Sequence, residues 1–103
     1  MSRASAYFQP VELTPPRGVQ TLDVRDLLED GLELNVLTVK PGHRGQGVGT
    51  KALNLVKALG RPIRLLPWAD DGKERELRRF YLRNGFRKRR GSCYLCWFPP
   101  STP

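Results

Sequence analysis

A glycine-rich turn between an apolar run and a helical pattern is the feature that most constrains this chain. The apolar run covers residues 32–39, and the helical pattern covers residues 50–59. Between them, Gly45, Gly47 and Gly49 occupy every second position. Glycine permits positive φ and lets a ligand approach the backbone closely. Because the free N–H groups and the dipole of a helix N-terminus favour negative charge, this arrangement predicts a phosphate or pyrophosphate site.

The spacing of the glycines argues against two common phosphate loops. The Walker loop ends in Gly-Lys-Ser/Thr, whereas this turn reads Gly49-Thr50-Lys51. The dinucleotide fingerprint needs Gly-x-Gly-x-x-Gly and an acidic residue at the end of the next strand, a position that Asp70 fits poorly. From these residues alone, an ordinary strand-to-helix turn is an alternative interpretation.

Two motifs together resemble the GNAT superfamily of N-acetyltransferases. The first is Arg-x-x-Gly-x-Gly at Arg44, Gly47 and Gly49, preceded by Val39-Lys40-Pro41. The second is Phe80-Tyr81-Leu82-Arg83-Asn84-Gly85-Phe86, at the end of a second amphipathic helix. Their order along the chain, with a helical pattern and a strand pattern between them, also resembles that family.

The resemblance implies an α/β (α+β) fold. It predicts a GNAT-like mixed central sheet with a splayed strand pair, two helices packed on it and an abbreviated N-terminal region. We expect residues 1–103 to form one domain, with its recognisable core over residues 32–98. A typical member has a strand and two helices ahead of this core, and these help to form the acceptor site. Residues 1–31 show no convincing helix, so the sequence does not identify the acceptor amine.

Acetyl-CoA is the acyl donor that the resemblance implies. In this family the backbone amides of the glycine-rich loop surround the CoA pyrophosphate, and the preceding strand accompanies the pantetheine arm. The N–H groups near residues 37–39 are candidate donors to the thioester oxygen. The cofactor-binding residues carried over in this way are Leu37, Thr38, Val39, Arg44, Gly45, Gln46, Gly47, Val48, Gly49 and Thr50.

The apolar pattern of the strand before the loop is irregular. Leu32, Leu34 and Val36 alternate, and then the apolar set moves to Leu37 and Val39. Such a slip indicates a β-bulge near residues 36–37, whereas a strand buried on both faces needs no bulge. In GNAT domains a splay at this place accepts the pantetheine arm.

Tyr81 and Glu33 are the candidate catalytic residues. The family's tyrosine at the position of Tyr81 often lies near the CoA sulfur and suits a general acid, although a buried helix face would also use this ring for packing. Some members have a glutamate base on the strand position of Glu33, which otherwise suits an exposed charge at a strand edge. Glu12, Glu29 and Asp30 are weaker alternatives.

The single histidine and the two cysteines are not expected to carry the chemistry. His43 lies beside the phosphate loop, which favours a solvated loop residue over a general base. Cys93 and Cys96 lack the further ligands of a structural zinc site and the helical setting of a redox pair. No activating base is visible for a covalent cysteine intermediate, so we expect two free thiols, no metal and direct transfer.

The sequence therefore predicts an N-acetyltransferase that moves the acetyl group from acetyl-CoA to an amine of a protein or small molecule. The alternative is a non-catalytic module of the same fold that binds CoA, nucleic acid or an acidic protein. The net charge of +8 favours anionic partners without choosing among them. Arg87-Lys88-Arg89-Arg90 suits nucleic acid, but no aromatic platform accompanies it in the sequence, so nucleic acid is not favoured.

Localisation and assembly are also expectations. No membrane span and no secretory leader are visible, so we expect a cytoplasmic protein with no membrane partner. The aromatic segment 94–98 looks poorly covered, which suggests a homodimer that packs through this strand and completes the acceptor cleft. The alternative is that residues 1–25 fold back over the sheet and the chain stays monomeric.

Overall fold

A computed structural model of the chain describes residues 9–67 and 72–100. Within these ranges the elements are β1 (Gln9–Pro10), β2 (Val19–Asp26), β3 (Leu32–Val39), α1 (Val48–Lys57), β4 (Ile63–Leu65), α2 (Glu74–Arg83), β5 (Arg87–Lys88) and β6 (Leu95–Trp97). The six strands form one sheet in the order β1-β2-β3-β4-β6-β5, and β3 pairs with β4 in parallel while the other pairs are antiparallel. The fold is the predicted α+β arrangement of a mixed sheet with two helices.

One face of the sheet forms the core with both helices. Side chains alternate between the two faces of a strand. Glu33 and Arg64 each lie between two buried residues of their own strand, so their side chains are on the face opposite the core. That opposite face is only partly covered by the described residues. The core consists of Val24, Leu32, Leu34, Ile63, Leu65 and Leu95 from the sheet, Leu53 and Val56 from α1, Tyr81 from α2, and Phe86.

The parallel strands β3 and β4 pair only at their beginnings. Leu32 lies opposite Ile63 and Glu33 lies opposite Arg64, and the ladder then ends. At its start the pair is tight, since the Leu32 N–H donates to the Pro62 carbonyl at 2.8 Å. All of β4 pairs with β6 on its other side, while β3 continues to Val39. The two strands therefore separate beyond Glu33, as predicted for a splayed pair.

The predicted bulge is present in β3, one residue earlier than expected. Asp23 lies opposite Val36 and Val24 lies opposite Leu34, so Asn35 is the extra residue. Its side-chain N–H donates to the Asp23 carboxylate at 2.8 Å. The bulge therefore explains the slip in the apolar pattern and lies where β3 leaves β4.

The helices differ in detail from the sequence prediction. α1 begins at Val48 rather than at residue 50, because the loop ends at Gly47 in a left-handed conformation. The helical spacing predicts that Leu59 shares the inner face with Ala52 and Val56, but Leu59 is 41% exposed and Leu53 lies in the core. Asp71, with Glu74 three residues later, resembles a capping box at the start of α2, but Asp71 lies outside the described residues. Its N-cap is Lys73, whose side chain does not cap the helix.

Lys57, the last residue of α1, joins the two helices. Its ammonium donates to the Asn84 carbonyl at the end of α2 and lies over the rings of Phe86 and Trp97, 5.9 and 5.3 Å from their centroids. Burial lowers the pKa of Lys57. A cation is favourable at a helix C-terminus, so this contact fixes the end of α2 against α1.

The ends of the chain fold differently from the simplest prediction. The sequence pattern of residues 7–13 suits a short strand, and of this segment residues 7 and 8 lie outside the described residues, while β1 covers Gln9–Pro10. Val11 and Leu13 nevertheless pack against the core. The apolar run at residues 92–98 predicts a last strand, and the strand there, β6, is shorter and forms an antiparallel hairpin with β5.

Candidate functional site

The loop between β3 and α1 presents its backbone to solvent. After a short 3-10 turn over Pro41–His43, Gly45 and Gly47 adopt φ of 79° and 75°. A Cβ atom at either position would meet nothing within 4 Å. Backbone conformation, rather than crowding, therefore requires these two glycines, and the space above them is open to a ligand.

The first turn of α1 supplies free backbone donors. The Lys51 N–H closes the first hydrogen bond of the helix, to the Gly47 carbonyl at 3.0 Å. The N–H groups of Val48, Gly49 and Thr50 precede that bond and have no partner within the helix. Gly47 has no side chain with which to cap them, and the first turn contains no acidic residue. These donors suit an anion.

Charge around the loop has one sign. Lys40, Arg44 and Lys51 are exposed, and residues 40–57 contain no Asp or Glu. His43 is half-buried rather than solvated, because its ring packs on Gly18, where a Cβ atom would lie 3.0 Å from Nδ1. The Lys40 N–H also donates to the Gly18 carbonyl, at 2.8 Å. These contacts hold the beginning of the loop against the start of β2, so His43 supports the loop.

The edge of β3 leads from the loop to the separation point of the strands. Leu37, Thr38 and Val39 pair with β2 on one side. On the side of β4, the ladder stops at Glu33. The β4 side of these three residues is thus open for an extended ligand that runs from the loop toward Glu33.

Tyr81 lies beneath the sheet in the core. Its ring meets Phe80 and Phe86 edge-on, with centroids 5.1 and 5.5 Å apart, and only 5% of the residue is exposed. Burial raises the pKa of Tyr81 to about 12, so the phenol is neutral at physiological pH. Among the described residues, no hydrogen bond engages its hydroxyl.

Glu33 lies on the opposite face of the sheet from Tyr81. One of its carboxylate oxygens accepts a hydrogen bond from the Arg64 Nε at 3.0 Å. Glu33 and Arg64 form the last pair before β3 and β4 separate. The two candidate catalytic residues therefore lie on opposite faces of the sheet.

The sequence prediction missed a cluster of arginines and aromatic rings on the face of Glu33. The Arg64 guanidinium lies 4.7 Å from the centroid of the Tyr94 ring, and the Arg89 guanidinium lies 5.5 Å from that of Phe98. In the sequence, the alternation of Tyr94, Cys96 and Phe98 along the last strand was the signal that indicated aromatic rings on this face. These residues line a shallow groove of about 460 Å³, which is separate from the glycine loop.

The family model for the acetyltransferase (GNAT) domain matches residues 17–88. The chain belongs to the GNAT family of acetyltransferases. Its structure is also similar to the crystal structure of the anti-CRISPR protein AcrVA5, with a TM-score of 0.66 and 23% sequence identity over 86% of this chain and 96% of that one. At this identity the likeness shows the fold alone. No curated protein sequence matches this chain significantly.

The GNAT assignment agrees with the predicted family and explains why the two motifs occur together. The match spans the loop, both helices and β5. The loop residues also fit the pyrophosphate of a CoA thioester by their own geometry, because open backbone, free N–H groups and positive charge meet there. No helix in the part of the chain that the structure describes is long and apolar enough to span a membrane.

Proposed function

We propose that this GNAT domain transfers the acetyl group of acetyl-CoA directly to an amine of a protein or small molecule. The observation that supports this proposal most is that β3 separates from β4 and then leads through the glycine-rich loop into α1. The loop offers a binding site for phosphates, and the open edge of β3 extends from that site toward Glu33.

Binding of the donor is assigned to backbone groups. The segment from Arg44 to Thr50 would hold the pyrophosphate through its N–H groups, assisted by the positive charge of the loop. The open edge at residues 37–39 would accompany the pantetheine arm and donate a hydrogen bond to the thioester oxygen. Acetyl-CoA supplies the activated acyl group, and the chain supplies orientation and charge stabilisation.

Proton transfer is assigned to Glu33 and Tyr81. Glu33 would take a proton from the incoming ammonium, directly or through water, and Arg64 would hold its carboxylate in position. Tyr81 would protonate the leaving sulfur, since its phenol carries a proton at physiological pH. Glu33 and Tyr81 lie on opposite faces of the sheet. In this proposal the amine would enter on the side of Glu33, and the tyrosine would protonate the leaving sulfur from the other side.

The test is an acetyl-transfer assay with mixtures of candidate acceptors. The purified chain is incubated with isotope-labelled acetyl-CoA and panels of peptides, polyamines and proteins, and products are identified by mass spectrometry. The proposal predicts labelled amide products that disappear when Gly47→Glu replaces the wild-type chain. Absence of labelled product from every class, in a protein that binds acetyl-CoA, would contradict it.

A non-catalytic binding module is the second candidate, and the groove of arginines and aromatic rings favours it. A thermal-shift comparison separates the two candidates. Stabilisation by acetyl-CoA, with none by DNA or RNA at physiological salt, supports the enzyme. The reverse pattern supports the binding module.

A further inference from the structure

From the groove beside Glu33, we infer that the acceptor is a peptide whose amine is flanked by acidic residues. This inference rests on the proposed acetyl transfer and adds its substrate class. The groove, defined here by Arg64, Arg89, Arg90, Tyr94 and Phe98, is the surface that would recognise the acidic side chains.

The groove lies on the sheet face opposite the core and has a cationic lining. Three arginines contribute to its walls, against one acidic residue, Asp30. Its volume of about 460 Å³ has room for several side chains of an extended peptide. Phe98 is 54% exposed and offers apolar contact beside the charges. Charge complementarity therefore favours an acidic occupant.

Two of the arginines are held by rings. Arg64 lies over Tyr94 and Arg89 lies over Phe98. Such stacking restricts a long side chain while the guanidinium edge keeps N–H donors for a carboxylate. Arg–carboxylate pairs form parallel, bidentate hydrogen bonds, so this surface is suited to glutamate and aspartate side chains.

Arg64 connects the groove to the proposed transfer site. It lines the groove and also donates to Glu33 at the last residue pair before β3 and β4 separate. A chain lying in the groove thus passes beside the proposed base. A peptide suits this position better than nucleic acid, because a lysine side chain carries a nucleophilic alkylamine, whereas the exocyclic amines of bases are delocalised into their rings.

Direct binding tests this inference without acetyl transfer. Fluorescence anisotropy compares a labelled peptide with one lysine flanked by glutamates against the same peptide with glutamines, at low and physiological salt. We expect roughly 10-fold tighter binding of the acidic peptide, declining with salt. Arg89→Glu with Arg90→Glu should abolish this preference. Arg75→Glu with Arg78→Glu makes the same charge change on the exposed surface of α2 and should retain much of it.

Each other outcome overturns the inference. Equal binding of the two peptides shows that acidic flanking residues are not recognised. Equal loss in both double variants shows that the net charge of the protein, rather than the groove, is recognised. Tighter binding of a single-stranded RNA, lost only in the Arg89 and Arg90 variant, assigns the groove to nucleic acid. If transfer assays show that both lysine peptides are acetylated equally well, the acetyltransferase proposal stands and the acidic-acceptor inference fails. If the acidic peptide binds and no acceptor is acetylated, the proposed function itself fails.

Discussion

The Cζ atom of Phe80 lies 2.9 Å from the position that a Cβ atom would occupy at Gly49. The first turn of α1 therefore packs directly on the Phe80 ring of α2, and the two sequence motifs of the family are in contact. Gly49 has helical φ, unlike Gly45 and Gly47, so close packing rather than conformation requires it. The contact positions the free N–H groups of the loop relative to the helix that carries Tyr81.

Gly49→Ala should destabilise the protein only while the Phe80 ring is present. Alanine favours a helix over glycine by about 1 kcal/mol, but overpacking against the ring costs about 1–3 kcal/mol. We expect net destabilisation in the wild-type background, and a neutral or stabilising effect in a Phe80→Leu background. Urea unfolding of the four proteins measures this. The same effect of Gly49→Ala in both backgrounds would show that the ring is not the cause.

Tyr81→Phe should lower kcat far more than it raises KM for acetyl-CoA. If the phenol protonates the leaving sulfur, its loss removes a contact made mainly in the transition state, which corresponds to a decrease of roughly 100-fold. Steady-state kinetics over a range of pH measures both constants. An unchanged kcat at every pH would reduce Tyr81 to a packing residue.

Tyr81 should also give the fold an alkaline-sensitive stability. Its pKa rises from 10.0 to about 12 on folding, so the folded state retains the proton that the unfolded state releases. The resulting stabilisation is complete below pH 10 and is lost as the pH rises toward 12, by about 2–3 kcal/mol. Denaturant unfolding of wild type and Tyr81→Phe across this range measures the difference. Parallel stability curves for the two proteins would contradict the assignment.

The chain should be monomeric. The sequence suggested a homodimer, with a folded-back N-terminal segment as the alternative, and two structural observations favour the monomer. Val11 and Leu13 pack against the core, and the face of the last strand carries arginines that would repel a second copy. Sedimentation across protein concentrations, at low and high salt, decides this. A dimer whose association strengthens as the salt concentration rises would support the homodimer hypothesis instead, with a contact that is mainly apolar.

What could be predicted from the sequence is mostly local along the chain. The loop glycines, Tyr81 on the inner face of its helix and Gly85 after that helix are each specified by neighbours a few residues away. The slip in the apolar pattern located the bulge to within one residue of Asn35, because alternation is also a local property.

What the sequence could not show depends on residues that are distant along the chain. The Glu33–Arg64 pair follows from the register of two parallel strands, and the Gly49–Phe80 contact follows from how two helices pack. The groove combines side chains of β4 and of the β5–β6 hairpin, and nothing in the run 87–90 alone indicates the rings beside it. The early start of α1 was missed because a glycine in a left-handed conformation, rather than a polar cap, ends the loop.

The most direct test of the central claim is calorimetric titration of acetyl-CoA into Gly47→Glu and Gly60→Glu. The two glycines lie at opposite ends of α1, have φ of 75° and 73°, and have no atom within 4 Å of an added Cβ, so the two variants carry the same strain and the same charge. If the N-terminal backbone of α1 binds the pyrophosphate, Gly47→Glu abolishes binding while Gly60→Glu binds like wild type, with both folded by circular dichroism. Unaltered affinity in Gly47→Glu would contradict the assignment of the loop.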